Sequence, residues 1–583
     1  MNCKLISFIL IFFLLAVGCG KKEETKMTGE ETRKPAEKKS PVIEDYEKID
    51  TVKQQLAKLA RVKITYDLSG LSENEKEGLV LIVKAAKYMD RLFLKQVYNR
   101  NPWLAKELQK GGNPDYKILW QYFWFNLGPF DRLAADKPFI NLNKQKAKGA
   151  NFYPPNMTKE EFSAHINAHP KEEKAFSSNF TVIRRIEGKL AAIPYSKAYK
   201  KLLDPAAKLL KKAAKRVENP SLKKYLISRA EAFSTNDYYQ SDIDWMDLKD
   251  HKIELVIGPY EVYEDKLFGY KAAFEAFVTL LDREESEKWV TVSNHRDEME
   301  KNLPIDDKYK NFKRGKGSPS IVADEVFSAG DAKAGIKTIA FNLPNDERVR
   351  EAKGSKQVML RNICRAKFDK CLVPIAKKVL AESDSPLVAF DAFFSHIMMH
   401  EISHGLGPGN IEKKGKKTTV NKELKELYSA VEEAKADILG LWNCQFMIDK
   451  GVFPKELEKN IYISFLASIF RSIRFGIDSA HGGANAIQMN FILEKEGFLY
   501  DEKTVRFRVN PDKIRDAVKQ LAHELLLIQA LGDYDRAKQF IDKYRNISSP
   551  VKQALDKITD VPTDIMPIYT FEKELARGNK KQK

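Results

Sequence analysis

"HIMMHEISHGLGPG", His396–Gly409, decides how the rest of the chain is read. His396, His400 and His404 recur every four residues, so on a helix all three share one face. They cannot share one ion. Eight residues of helix rise about 12 Å, whereas zinc holds an imidazole nitrogen at about 2 Å. Glu401 singles out the pair His400/His404, because HExxH sets a carboxylate beside the metal, placed to take a proton from a water. His396 is expected as a packed residue or a support behind the ligands. The flanking "AFFSHIMM" and "GLGPG" are apolar and turn-forming. Ionisable residues embedded in such a helix need partners. Alone, the pattern is also compatible with polar residues on an amphipathic helix.

A third ligand has to come from another element. "NKELKELYSAVEEAKADILGLW", 421–442, offers one. On a helix Ala430, Glu433, Asp437 and Gly440 share a face, with Ser429 and Ala436 at its edges. Small residues let that face approach another helix closely, and its carboxylates would otherwise be buried unpaired. Glu433 is therefore the expected third ligand, and Glu432 and Asp437 are expected to orient the histidine rings through their other nitrogens. The Lys/Glu alternation at 422–426 fits a solvated helix instead; the "SAVEEAKADILG" half does not. Two histidines, one glutamate and an open position make a catalytic arrangement, since a structural zinc would fill the fourth place with protein.

The chain has 583 residues, enough for two or more lobes, with 43% hydrophobic and 10% aromatic content. Its 31% charged content and mean hydropathy of −0.45 argue against an integral membrane protein. The formal charge is +18, but basic residues alternate with acids along most of the chain, as on solvated helix faces. No nucleic-acid partner is expected. "MNCKLISFILIFFLLAVGCGKKEE" carries Lys4, then an apolar run from Leu5 to Val17. That run is shorter than the roughly 20 residues a bilayer needs, and reads as a secretory leader. Ala16-Val17-Gly18-Cys19 resembles a bacterial lipobox, which implies cleavage before Cys19, lipid on its sulfur and a soluble body tethered to a membrane of the cell envelope. An ordinary cleaved leader is the alternative. Cys364, Cys371 and Cys444 remain in the mature chain, and without a CxxC pattern a thiolate zinc site is not expected.

Residues 20 to about 45 are rich in Lys, Glu, Thr and Pro and read as a flexible tether. From 46 to 245 helical periodicity dominates, as in "SENEKEGLVLIVKAAKYMDRLFLKQVY", which opens on a capping-box-like Ser72–Glu75 pair. "KIELVIGPYEVYED" and "IKTIAFNLPND" are β-branched and aromatic runs ending in turn residues, hence strands. Helices return from 385 to 545. The fold class is α+β, with helical material on both sides of a small sheet.

"HEISHGLGP" followed by "EEAKAD" resembles the zinc signature of the dipeptidyl-peptidase III family of metallopeptidases. That family carries HExxGH or HExxH followed by EExxA(E/D), and the second glutamate of the latter is its ligand, which agrees with Glu433. This chain has the five-residue form. "IGPYEVYEDKLFGYKAAFEAFV", 257–278, resembles the family's strand and following helix. The resemblance implies that Glu261 holds the substrate N-terminus and that Tyr263 assists at the scissile carbonyl. "FNLPND", 341–346, implies that Asn342 and Asn345 bind substrate backbone and amino group. "AHGGANAIQMNFILEKEG", 480–497, implies that His481 stabilises the transition state. Asn485 stands where the eukaryotic enzymes align an arginine, so an arginine preference is not implied. Read alone, Tyr263 is a packing residue and His481 a turn residue; four matching segments in the right order favour the functional reading. "AFNLPNDERV" and "VPTDIMPIYTF" also resemble the peptidase-like part of plant proteins named as Nudix hydrolases. No Nudix box is present, so pyrophosphohydrolase activity is not expected.

The resemblance implies a two-lobed α+β zinc metallopeptidase with a wide cleft, a mostly helical catalytic lobe and a second lobe with a small β-barrel core. The expected organisation is a leader over 1–18 and a tether over 19–45. A helical and β-core lobe covers 46–285 with 326–370, and the zinc-binding lobe covers 286–325 and 371–548, before a C-terminal segment, 549–583. The expected activity is release of dipeptides from the N-terminus of short peptides by a monomer holding one Zn2+. The alternatives are a zinc aminopeptidase or endopeptidase with the same centre, or a non-catalytic peptide-binding lipoprotein.

Overall fold

The structure, a computed structural model, describes residues 43, 45–141, 145–312 and 320–571. The leader, Cys19 and nearly all of the tether lie outside the described residues. Within those described, no helix is long and apolar enough to cross a membrane.

After a short helix, Ile49–Ala57, come strand β1 (Leu59–Ile64) and helix α1 (Glu73–Val97). A capping box starts α1: Ser72 Oγ accepts from the Glu75 amide, and the Glu75 carboxylate accepts from the Ser72 amide. Leu79, Ile82, Val83, Ala86, Met89 and Phe93, spaced by three and four, bury its inner face. Helices α2 (Lys200–Ala213) and α3 (Pro220–Thr235) are among the further helices of this lobe.

The sheet follows: β2 (Ile253–Pro259), β3 (Phe274–Asp282), β4 (Ser320–Gly330), β5 (Ala340–Leu343) and β6 (Lys356–Leu360). Its spatial order is β2-β3-β4-β6-β5, antiparallel except for the β4–β6 pair. Gly330, at φ 65°, is required where β4 ends against β3, since a Cβ there would lie 2.1 Å from the Phe274 carbonyl oxygen.

One expected feature is not seen and a second is corrected. No closed barrel is found among the described residues: the edge strands β2 and β5 share no ladder, although Asn345, just past β5, donates to the Tyr260 carbonyl just past β2 at 3.0 Å. The segment 257–278 is a strand, a loop and a second strand, with no helix after the first. The aromatic and β-branched residues of "FEAFVTLL", buried along nearly the whole run, favour a strand, and Glu261 and Tyr263 consequently sit in the loop between β2 and β3.

The second lobe is helical: α4 (Phe390–His404), α5 (Tyr428–Asp449), α6 (Leu457–Ile473), α7 (Ala480–Glu494) and α8 (Ile514–Leu531). One apolar core runs through it, containing Met398, Leu439, Ile469, Ile487 and Leu525, together with Trp289 and Met299 from the segment before β4. The chain ends its described part with β7 (Asp564–Tyr569), parallel to β1, and the Tyr569 hydroxyl bonds Glu325 and Ser328 of β4. Cys364, Cys371 and Cys444 are free and buried.

Candidate metal centre

The centre is made where α4 and α5 touch. Gly440 lets them approach: a Cβ there would lie 3.1 Å from the His400 amide nitrogen and 3.3 Å from the His396 ring. Helix α4 ends at His404, so His400 and Glu401 occupy its last turns. Lys435 of α5, buried, caps that end by donating to the carbonyls of Ser403 and Leu406 at 3.0 and 3.1 Å.

His400, His404 and Glu433 converge, with one ligand atom from each within 4.8 Å of the others. The Nε2 atoms of His400 and His404 are 3.1 Å apart, and Glu433 Oε2 lies 3.4 and 3.8 Å from them. Ligand atoms about 2 Å from a shared tetrahedral ion stand roughly 3.3 Å from one another. Glu433 Oε2 is buried without a well-formed hydrogen bond. A buried carboxylate oxygen facing two ring nitrogens is what a cation would satisfy.

The outward nitrogens are held as a metal site needs. His400 Nδ1 donates to Asp437 Oδ1 at 2.7 Å, and His404 Nδ1 donates to Glu432 Oε1 at 2.8 Å. Each bond leaves Nε2 turned inward. Behind Asp437, Oδ2 accepts from Asn485 at 3.1 Å and Gln488 at 3.0 Å. Behind Glu432, Oε2 accepts from Gln529 at 2.8 Å, and Lys435 pairs with Oε1 at 2.9 Å. These four residues were not legible as parts of the site. Gln488 carried a signal as a polar residue inside the apolar "AIQMNFIL", and Asn485 stood out only as the position where the eukaryotic enzymes align an arginine. Asn485 is buried against Asp437.

Electrostatics point the same way. Burial alone would raise Glu432 and Asp437, but Lys435 and His404 beside the first, and His400 beside the second, bring both down to about 2. Glu433 is likewise held well below the carboxylate range against its burial, by the His400 and His481 rings. His400, despite burial, is raised well above its ordinary value by Asp437 and Glu433. The three carboxylates therefore favour a positive charge at the imidazoles, be it a proton or a metal cation.

His396 stays outside the centre: it is buried, its Nε2 bonds the Asp437 carbonyl at 2.9 Å, and its ring packs on Phe465. His481, in the first turn of α7, sets Nδ1 3.1 Å from Glu433 Oε2. Glu401 Oε2 accepts from Gln357 Nε2 of β6 at 2.7 Å, a contact between the lobes that no local motif announces.

The sheet lobe contributes a separate acidic pocket. Asn345 Nδ2 donates to Glu261 at 3.3 Å, and Asn342 is exposed on the edge strand β5. Burial raises the Glu261 carboxyl above its usual range. Glu275 and Asp331, which the sequence had not singled out, interact electrostatically with it. Burial, with Asp331 and Glu261 adding to it, pushes Glu275 well up; burial also takes Asp331 to about 7, against the pull of Arg132. Tyr263 is 78% exposed, with Glu261 and Asp331 near enough to raise its hydroxyl.

A two-lobed fold with a cation-ready HExxH centre, Glu401 beside it, is that of a metallopeptidase. Comparison with known proteins places it more closely: residues 147–439 match peptidase family M49, and the chain belongs to that family. It superposes on DPP III from Caldithrix abyssi with a TM-score of 0.88 at 57% identity, covering 90% of this chain and all (100%) of that one. For dipeptidyl-peptidase III from Corallococcus sp. strain EGB the values are 0.77 and 44%, over 91% and 99% of the two chains. "Nudix hydrolase 3" of Arabidopsis thaliana is 40% identical over 579 residues, 90% of this chain and 74% of that protein.

Proposed function

We propose that this protein is a zinc-dependent exopeptidase that releases dipeptides from the N-terminus of short peptides. The observation that carries the proposal is the pairing of two sites. The first is His400, His404 and Glu433, converging beside Glu401. The second, on the sheet lobe, is the Glu261–Asn345 pocket. Membership of family M49 and likeness to two dipeptidyl-peptidase III structures support it.

His400, His404 and Glu433 would hold the zinc, with Asp437 and Glu432 keeping the imidazoles in the ligating tautomer. When bound, the cation supplies Lewis acidity toward the scissile carbonyl and makes a water more acidic. Glu401 takes the proton from that water and passes it to the leaving amine. Tyr263 and His481 donate hydrogen bonds to the oxyanion as it forms. Glu261 and Asn345 capture the α-amine. Asn342, on the unpaired edge of the sheet, holds the peptide backbone, as edge strands do for extended peptides. The leader motif ending in Cys19 supports a lipid-tethered enzyme acting in the cell envelope, as a monomer.

Arylamides separate this from an aminopeptidase, an endopeptidase or a non-catalytic binder. Unblocked Ala-Ala- and Arg-Arg-arylamides should release arylamine while N-blocked peptides stay intact. Cleavage of blocked peptides, release of single residues, or no turnover at all would overturn the reading.

A further inference from the structure

We infer that Gln357 is a positioning residue that aligns Glu401 with the peptide-binding edge of the sheet, through one row of side chains crossing three strands. The inference rests on the peptidase reading of Glu401.

Gln357 of β6 lies directly opposite Ser320 of β4 on one side and Asn342 of β5 on the other. Directly opposed residues project from the same face of a sheet, so a hydroxyl and two amides form one row. Ser320 Oγ donates to Gln357 Oε1 at 2.9 Å, and Gln357 Nε2 donates to Glu401 Oε2 at 2.7 Å. Gln357 is 8% and Ser320 2% exposed. The amide cannot flip: turned over, it would set its oxygen against a carboxylate that only accepts. With Oε2 of Glu401 engaged, Oε1 is the oxygen left for the water and the leaving amine. Asn342 is one strand away, about 4.8 Å in a sheet. A peptide lying along β5 is thereby registered against the proton carrier by the sheet itself. HExxH motifs place the base by its neighbours on the helix; here the opposite lobe sets its side chain.

Two variants test this: Gln357→Met, which keeps the length and loses the amide, and Ser320→Ala, which keeps the amide and loses its anchor. For Gln357→Met, kcat on an unblocked dipeptidyl arylamide should fall about 10–100-fold, the scale of a misplaced catalytic group. KM should stay within about two-fold, and bound metal at the wild-type level. Ser320→Ala should show a smaller loss of the same kind. In a Gln357→Met/Glu401→Ala double variant the losses should not multiply, because both act through one carboxylate. A Gln357→Met enzyme with wild-type kcat, or one whose activity falls only as metal is lost, would overturn the inference. Glu401→Ala alone keeps the failures distinct. Full turnover there removes Glu401 as the base. Loss there with full turnover in Gln357→Met removes only the positioning role.

Discussion

The two halves of the site are built by opposite means. In the helical lobe, two helices meet through Gly440, and every group around the centre is paired or aimed at one point. Its carboxylates are pulled far down by the cations and imidazoles they face. In the sheet lobe, Glu261, Glu275 and Asp331 are pushed up, because burial brings them together with too little positive charge nearby. The first region is finished except for a metal. The second holds carboxyls that burial keeps protonated, and a substrate ammonium beside them would favour their ionised form. On the proposed reading, the metal centre is thus assembled in advance in one lobe while the other waits for an N-terminus.

Breaking the proton carrier should have the largest effect. Glu401→Ala is expected to lower kcat about 10²–10⁴-fold with bound metal unchanged, read by arylamide turnover beside metal analysis. Next comes support behind a ligand: Asp437→Ala frees His400 Nδ1 and should weaken metal affinity about 10–100-fold in a chelator competition. The pocket in the sheet lobe should answer in KM instead. Glu261→Gln is expected to raise KM for unblocked substrates about ten-fold, while the metal stays put; a metal loss would erase the contrast between the regions.

The pocket also predicts opposite pH trends for binding and stability. Asp331 holds its proton up to about pH 7 in the fold against an ordinary 3.8. Above 7 it is ionised and attracts an ammonium, so KM should fall between about pH 6 and 8. For stability the sign reverses. A raised carboxyl means the fold binds that proton more tightly than the unfolded chain, so this contribution is present at low pH and lost as pH rises from 3.8 to about 7. A KM flat across that range would separate Asp331 from binding. The smallest change, Gly440→Ala, sets a methyl against the His400 amide and should cost about 1–3 kcal/mol by overpacking, visible in denaturant unfolding.

The same contrast explains what was legible in the sequence. The metal centre was, because a helix turns spacing into geometry: His400, His404 and Glu401 are fixed by a four-residue repeat, and Glu432, Glu433 and Asp437 by the next helix. The supports Asn485, Gln488 and Gln529 come from two further helices, and their register against α5 depends on packing that no local pattern encodes. The sheet lobe was legible as strands but not in its closure. Likeness to the strand-and-helix segment of the family misdirected the reading of 257–278, where the aromatic and β-branched residues of "FEAFVTLL" build a strand. Gln357 escaped notice because its partner is 44 residues away in the other lobe. The proposed leader and Cys19 lie outside the described residues.

Metal analysis of the soluble body with Glu433→Ala beside it tests the centre most directly. The wild-type protein should carry one zinc per chain, and the variant should lose it under mild chelation while keeping its fold. A Glu433→Ala protein that retained a full equivalent of zinc would contradict the assignment of the third ligand, and with it the centre on which the rest is built.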